Sequence, residues 1–436
     1  MADSRQYTAT VIVGAAADRP PSGRSTRLFV ADDTKDLWFD EGLGLGWVSI
    51  GKGAFGEAFK GVEIAPGFGQ KWMDRVQQTF ITGIEMEVGV VGDSTVEGVG
   101  GWDYWPNKLN RLLGFSYAAG NMKWVTPAND APAYGGFQHM DKAEWVKGAN
   151  FAAIGSSSVK DMGIFGIGYE CLTGGVAAGQ TATWTRGNRG VAVIELIWVD
   201  VNTAGSVGWS YSTNGGGAWV DVPVTNPGAA TLKRTTFAIS NPTDIRVRAA
   251  KADATASRIP AILGLIAYGT TNDIVNNQVS LHNLGRSAQF FAQFDRSNSA
   301  GDPYAIPKLL TANGLAGGHG TLSICGPWTN DLVLGVTPTD YGTYCQNFVT
   351  KMAPFGDILF VGAPMQDARS ELQQAALQAK MREVALSNGC AYLDMGQVWG
   401  TYAQSLASGY MNGLHQTQKG HTDMAHRIFR LLRTLS

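Results

Sequence analysis

Two residues far apart in the sequence have the surroundings that acyl-transfer chemistry requires. Ser94 closes Gly92-Asp93-Ser94 at the end of the run Ile84-Glu-Met-Glu-Val-Gly-Val-Val, with polar, Gly-rich residues and then Trp105 to Leu113 behind it. That pattern predicts strand, turn and helix. A serine just past a buried strand and beside small residues stands at a tight turn with its backbone N–H outward, which suits a nucleophile. Gly-Asp-Ser is also a routine turn sequence, so the motif alone assigns nothing. At the other end, His415 lies in the polar stretch Gly409-Tyr-Met-Asn-Gly-Leu-His-Gln-Thr-Gln-Lys-Gly420, before an amphipathic helix carrying Met424, Ile428, Leu431 and Leu432. A lone loop histidine is more often structural than catalytic. His421 and His426, on or beside the helix, are expected to be solvated.

The elements that must position such residues can be read along the chain. The segment Thr321-Leu-Ser-Ile-Cys325 makes a buried strand, followed by a helix from Tyr341 to Met352, a strand from Asp357 to Val361, a helix from Glu371 to Ser387 and a strand from Ala391 to Leu393. This is an α/β succession, and Asn330 falls at the carboxyl end of one of its strands, where open α/β sheets place their sites. Residues 150–270 read differently. Ala182 to Trp184, Gly190 to Val199, Val207 to Ser212, Ala218 to Val224, Thr235 to Ile239, Asp244 to Ala249 and Ile262 to Tyr268 are β-rich, with Gly, Asn and Pro between them. They predict a β-sandwich. Residues 1–75 carry four short strand-like stretches, Tyr7 to Val13, Arg27 to Ala31, Leu37 to Phe39 and Gly46 to Ile50, too few to bury much surface alone.

Composition narrows the function classes. The chain has 436 residues, 44% hydrophobic and 16% charged, with 34 Lys and Arg against 36 Asp and Glu for a net charge of −2. That balance does not build the basic field that nucleic-acid binding or docking on an anionic membrane needs. The 56 glycines, with 13 Trp and 13 Tyr, suit turn-rich β structure of the kind found in carbohydrate-facing proteins. Four cysteines without CxxC spacing point to buried free thiols rather than a zinc site, and acyl transfer by a serine and a histidine needs no metal or organic cofactor. No apolar run reaches membrane-spanning length, and the first residues lack the charged and apolar regions of a signal peptide.

The two motifs together resemble the SGNH (GDSL) hydrolases: Gly92-Asp93-Ser94 matches the first sequence block of that family and the His415 loop its last. The resemblance implies a three-layer α/β/α fold with a mostly parallel sheet, serine esterase activity, Ser94 as nucleophile and His415 as general base. The family places an Asp three residues before the histidine; here that position is Asn412. Three explanations stay open: a Ser94–His415 dyad, a substitute carboxylate such as Asp394, or a site decayed into a binding pocket. Two further blocks supply oxyanion donors beside the Ser94 backbone. The glycine is Gly155, in Ile154-Gly-Ser156, or Gly285, in Leu281-His-Asn-Leu-Gly285-Arg-Ser287; the asparagine is Asn272 or Asn330. The α/β context after Asn330, and the strand-like Val279 to His282 before Gly285, favour Gly285 and Asn330. The hydrolase then comprises residues 76–149 and 271–436, with the β-sandwich of residues 150–270 inserted between its blocks.

A second resemblance concerns the N-terminus. Arg27-Leu-Phe-Val-Ala-Asp-Asp-Thr-Lys-Asp-Leu-Trp-Phe-Asp-Glu, closed by Gly46-Trp-Val-Ser-Ile, resembles the small β-module of many bacteriophage tail proteins. It implies a minor tail protein, at the tail tip or in a fibre, assembled in the virion with other tail proteins as a homo-oligomer, a trimer being the expectation. Such a protein acts outside the cell on the host surface without a secretion signal. The implied substrate is an O-acyl ester on a host cell-surface glycan or glycolipid, with Trp328 and Trp209 as candidate sugar-binding residues and the Trp- and Tyr-rich sandwich as a candidate carbohydrate-binding domain. The rival is a receptor-binding tail protein that recognises the glycan without cleaving it.

Overall fold

The computed structural model describes residues 10–14, 27–31, 37–40, 48–51, 60–82, 86–97, 104–117, 137–139, 145–148, 151–154, 168–171, 181–184, 193–200, 209–223, 231–238, 245–249, 261–268, 279–285, 290–292, 320–367 and 370–435. Backbone contacts divide the chain into two compact units, Met1–Val62 and Glu63–Ser436. The first holds a four-stranded sheet of β1 (Thr10–Gly14), β2 (Arg27–Ala31), β3 (Leu37–Asp40) and β4 (Val48–Gly51) in that spatial order. β1 and β2 run parallel, and the other neighbours pair antiparallel.

The second unit begins thirteen residues earlier than the sequence predicts, because β5 (Val62–Ile64) and α1 (Gln70–Thr82) pack into it. Trp72 of α1 is buried; its Nε1 donates to Leu432 O at 3.2 Å and its backbone N–H to Asp357 Oδ2 at 2.8 Å. Then come β6 (Met86–Gly92), α2 (Ser94–Glu97) and α3 (Trp105–Tyr117). Every residue of β6 is buried, as befits the middle of a parallel sheet covered on both faces.

Between these elements and the rest of the α/β fold lie two antiparallel sheets. One has the order β15 (Thr231–Ala238), β12 (Val193–Asp200), β17 (Ala261–Tyr268), β10 (Gly168–Cys171), β9 (Phe151–Ile154), with β7 (Phe137–His139) also on β17. The other is β14 (Val220–Val222), β13 (Trp209–Ser212), β16 (Ile245–Ala249), β11 (Thr181–Trp184), β8 (Trp145–Lys147). Ring contacts join them: Trp198 meets Trp209 edge-on at 5.4 Å, and Tyr211 stacks on Phe237 at 4.0 Å. All seven strands expected from the sequence are present. β7 to β10 add four, starting at Phe137 rather than near residue 150.

The chain returns through β18 (Val279–Gly285), β19 (Gly320–Cys325), α4 (Thr329–Leu334), α5 (Pro338–Met352), β20 (Asp357–Gly362), α6 (Glu371–Ser387), β21 (Ala391–Asp394), α7 (Met395–Trp399), α8 (Tyr402–Ala407), the hairpin β22 (Met411–Asn412) and β23 (His415–Gln416), and α9 (Gln418–Leu435). The central sheet has the order β18-β6-β19-β20-β21-β5, and β18 to β21 are parallel throughout. Its core face packs under α5 and α6 through Tyr341, Phe348, Met352, Leu377 and Met381. The same apolar cluster contains Val193 and Ile197 of β12 together with Val91 and Leu284, so an antiparallel sheet covers the part of this face nearest β18. Cys325, Cys345 and Cys390 are buried free thiols. Among the described residues no helix is long and apolar enough to cross a membrane.

Candidate active site

The carboxyl ends of β18, β6 and β19 lie side by side, with Gly285 opposite Gly92 and Cys325 opposite Val91. The nucleophile turn forms where β6 stops. A Cβ on Gly92 would stand 2.3 Å from Val96 Cγ2 and 3.0 Å from Pro327 O, so only glycine lets the strand fold directly into α2. Ser94 is the first residue of that helix, and among the described residues nothing accepts its backbone N–H.

His415 reaches the same point from the other end of the chain. It opens the second strand of a two-residue hairpin whose turn is Gly413, with φ +64°, and Leu414. Behind it, Thr417 donates from Oγ1 to Gly409 O at 2.6 Å and from its backbone N–H to Tyr410 O at 2.9 Å, tying the start of α9 to the loop before the hairpin. Gly420 lies against Tyr410 O, where a Cβ would come within 2.3 Å. The result is a hydrogen bond of 3.1 Å between Ser94 Oγ and His415 Nε2, across 321 positions of sequence. That distance is right for transfer of the serine proton to the ring.

Asn412 faces His415 directly across the hairpin but is exposed. The bond to Ser94 is the one hydrogen bond the His415 ring makes among the described residues. Asp394, the candidate substitute, caps α7 by accepting from Gln397 N at 2.9 Å, and its strand is three places from β6 in the sheet, roughly 14 Å away.

The residue whose part the sequence does not reveal is Asp93. It is fully buried and accepts from Thr95 N and Thr95 Oγ1, both at 2.9 Å, from Thr329 Oγ1 at 2.6 Å, from Thr329 N, and from Asn330 N at 3.2 Å. Burial raises its pKa, and these donors oppose the rise. Asp93 thus locks the nucleophile turn to the start of α4. The Asn330 backbone N–H is thereby given to Asp93. Gly285 sits where the sequence expects it, but its N–H donates to Asn283 Oδ1 at 3.0 Å, while Asn283 Nδ2 reaches Val96 O at 2.9 Å. This side-chain bridge braces α2 against β18 and engages the amide expected to serve the oxyanion.

Other expectations are corrected by burial. Trp328 and Trp209 are both 0% exposed. Trp328 stacks on Phe291 at 4.8 Å in the core, and Trp209 lies between the two antiparallel sheets, so neither offers a ring face to a sugar. His421 is buried rather than solvated, its Nδ1 3.4 Å from the N–H of Trp105 at the start of α3, whereas His426 is exposed. Gly155, Asn272 and Ser287 lie outside the described residues. Among the described residues no cluster of three or more His, Cys, Asp or Glu could hold a metal.

No protein-family model and no curated protein matches this sequence. Solved structures do. A structure described as "Peptidoglycan O-acetylesterase in action" matches 86% of this chain and 98% of its own, at 17% identity and a TM-score of 0.60. The chain shares that protein's fold. An alignment of this extent is longer than the α/β elements alone could give, so it takes in antiparallel strands as well. TesA (17% identity, 38% of this chain and 83% of that one, TM-score 0.29) and a lipase/acylhydrolase from Enterococcus faecalis (16%, 36% and 77%, 0.28) match smaller shares.

Proposed function

We propose that this protein is a serine esterase of the SGNH type that removes acyl groups, acetyl foremost, from glycans of a host cell surface as part of a phage tail. The observation that carries the chemistry is the 3.1 Å contact between Ser94 Oγ and His415 Nε2 at the carboxyl end of a parallel sheet. His415 takes the proton as Ser94 attacks the ester carbonyl, and the tetrahedral oxyanion forms beside the Ser94 N–H and the Asn330 amide. The Gly285 N–H joins them where Asn283 releases it. As the tetrahedral intermediate collapses, the His415 imidazolium gives its proton to the departing sugar oxygen, which leaves as the alcohol; the acyl-enzyme remains, and the same ring activates the water that clears it. Among the described residues no carboxylate bonds the far side of the imidazole, and the pair works as a dyad. Support for an acetyl ester on a cell-wall glycan comes from the fold shared with a peptidoglycan O-acetylesterase, and for the tail assignment from the N-terminal sequence.

The test is hydrolysis of p-nitrophenyl acetate and release of acetate from O-acetylated peptidoglycan by the purified chain and by Ser94→Ala. Serine-dependent turnover of both substrates is expected. Binding of the glycan without serine-dependent acetate release would assign the chain to the non-catalytic receptor-binding class instead.

A further inference from the structure

Two buried carboxylates, not one, flank the Ser94 turn and Asn330 in sequence, Asp93 before Ser94 and Asp331 after Asn330. Asp331, the third residue of α4, is 0% exposed, and its Oδ2 accepts the backbone N–H of Phe291 at 2.9 Å. Phe291 follows Gly285 by six residues and is itself buried, stacked on Trp328 and edge-on to Tyr341 at 5.8 Å. The second oxygen, Oδ1, is buried and has no hydrogen-bond partner among the described residues. Building on the esterase reading, we infer that Asp331 is a positioning residue of this site, which fixes Phe291 against the helix that carries Asn330. Asp93 joins the serine turn to that helix, and Asp331 joins the helix to Phe291. The segments that carry Ser94, Asn330 and Phe291 are thereby held by two carboxylates, one just before Ser94 and one just after Asn330.

This arrangement makes the site sensitive to the charge on Asp331. Burial raises the Asp331 pKa to about 7, the Phe291 N–H opposing the rise and Asp93 adding to it. The titratable groups facing it are Asp93 from the nucleophile turn, Cys325 from the end of β19, and Tyr341 and Cys345 from α5, and burial holds both thiols and the phenol toward their neutral forms. A proton on Oδ1, which has no hydrogen-bond partner among the described residues, leaves Oδ2 free to keep Phe291, whereas ionisation adds a negative charge one residue from Asn330 and within electrostatic reach of Asp93. Turnover therefore falls as Asp331 ionises.

The experiment is the pH dependence of kcat and KM for p-nitrophenyl acetate in the full chain, in Asp331→Asn and in Asp331→Leu, with each variant's fold checked by thermal melting. In the wild type kcat should decline about tenfold on the alkaline side of neutrality, the size of a like charge at close range in a partly screened site. Asp331→Asn keeps an acceptor for Phe291 and cannot ionise, so its kcat should stay near the wild-type maximum and lose the alkaline decline. Asp331→Leu has no acceptor, and its kcat should fall about tenfold or more at every pH with KM little changed, as expected when a donor is displaced from the transition state. An alkaline decline that persists unchanged in Asp331→Asn, or a folded Asp331→Leu with wild-type kcat, overturns the inference while leaving the esterase reading intact. Should Asp331→Leu not fold, the Asn profile alone decides. A wild type without Ser94-dependent turnover overturns both.

Discussion

The two ends of β6 bury carboxylates in opposite ways. At the carboxyl end, Asp93 is enclosed by neutral donors from Thr95, Thr329 and Asn330. At the amino end, Glu87 is equally buried but lies among other charged or titratable groups: His282 Nε2 at 3.5 Å, Arg75, and the Glu195–Arg234 pair of β12 and β15. The strand alternation that puts Glu87 and Val91 on one face also puts His282 and Leu284 beside them, facing Val193, Glu195 and Ile197. Asp93 therefore orders a local site, whereas Glu87 marks a seam between the parallel sheet and an antiparallel one. The antiparallel sheets belong to the same compact unit as the site.

Breaking the seam should have the largest effect. Replacing residues 137–268 by a short Gly/Ser linker uncovers Val91, Leu284, Glu87 and His282 together, and insoluble or unfolded protein is expected by circular dichroism. A soluble, active product would mean that the antiparallel sheets are an independent attachment after all. Next comes Asp93→Ala, which leaves several buried donors without an acceptor at about 1–3 kcal/mol each before relaxation. Thermal denaturation should show a loss of at least about 3 kcal/mol, and kcat should drop about a hundredfold because Asn330 is no longer held.

Glu87→Gln sharpens the contrast through pH. Burial raises the Glu87 pKa well above the ordinary value, opposed by Arg234 and Arg75. A carboxyl whose folded pKa is raised contributes stability fully below its unfolded pKa, about 4.3, and loses it as pH climbs through the folded value. The wild type should thus show a decline in stability above about pH 4 that Glu87→Gln lacks, leaving the variant the more stable of the two at pH 8 in urea titrations. Identical pH profiles would mean that Glu87 stays ionised against His282 and the arginines. The smallest effect belongs to the site's open flank. Asn412→Asp places a carboxylate opposite His415 on the hairpin, and the charge-assisted bond to the imidazolium should raise kcat about tenfold. An unchanged or lower kcat would show that His415 already has the support it needs.

What the sequence makes legible follows from how local each cause is. The α/β elements after Gly320 could be read because apolar runs and helical periodicity are local, and Glu371–Ser387 is found within the bounds expected. Ser94 and His415 were recognisable because each sits at the edge of such an element. Asp93 was visible only as part of a turn, since its partners Thr329 and Asn330 lie 236 and 237 residues away. Nothing local in the sequence shows that two sheets close over the charges of Glu87, Glu195 and Arg234. Trp209 and Trp328 read as ligand platforms because a large amphipathic ring suits a core and a sugar site equally. The short strands β7 to β10 give too little alternation to be seen before their partners are known.

The central claim is that Ser94 is a nucleophile activated by His415, and covalent labelling tests it most directly. The chain is treated with a fluorophosphonate ester and the adduct located by peptide mass spectrometry. One adduct per chain on Ser94 is predicted, absent in Ser94→Ala and formed at least about a hundredfold more slowly in His415→Ala. A wild type that takes up no label, or a Ser94→Ala variant labelled as fast as the wild type, would contradict the account.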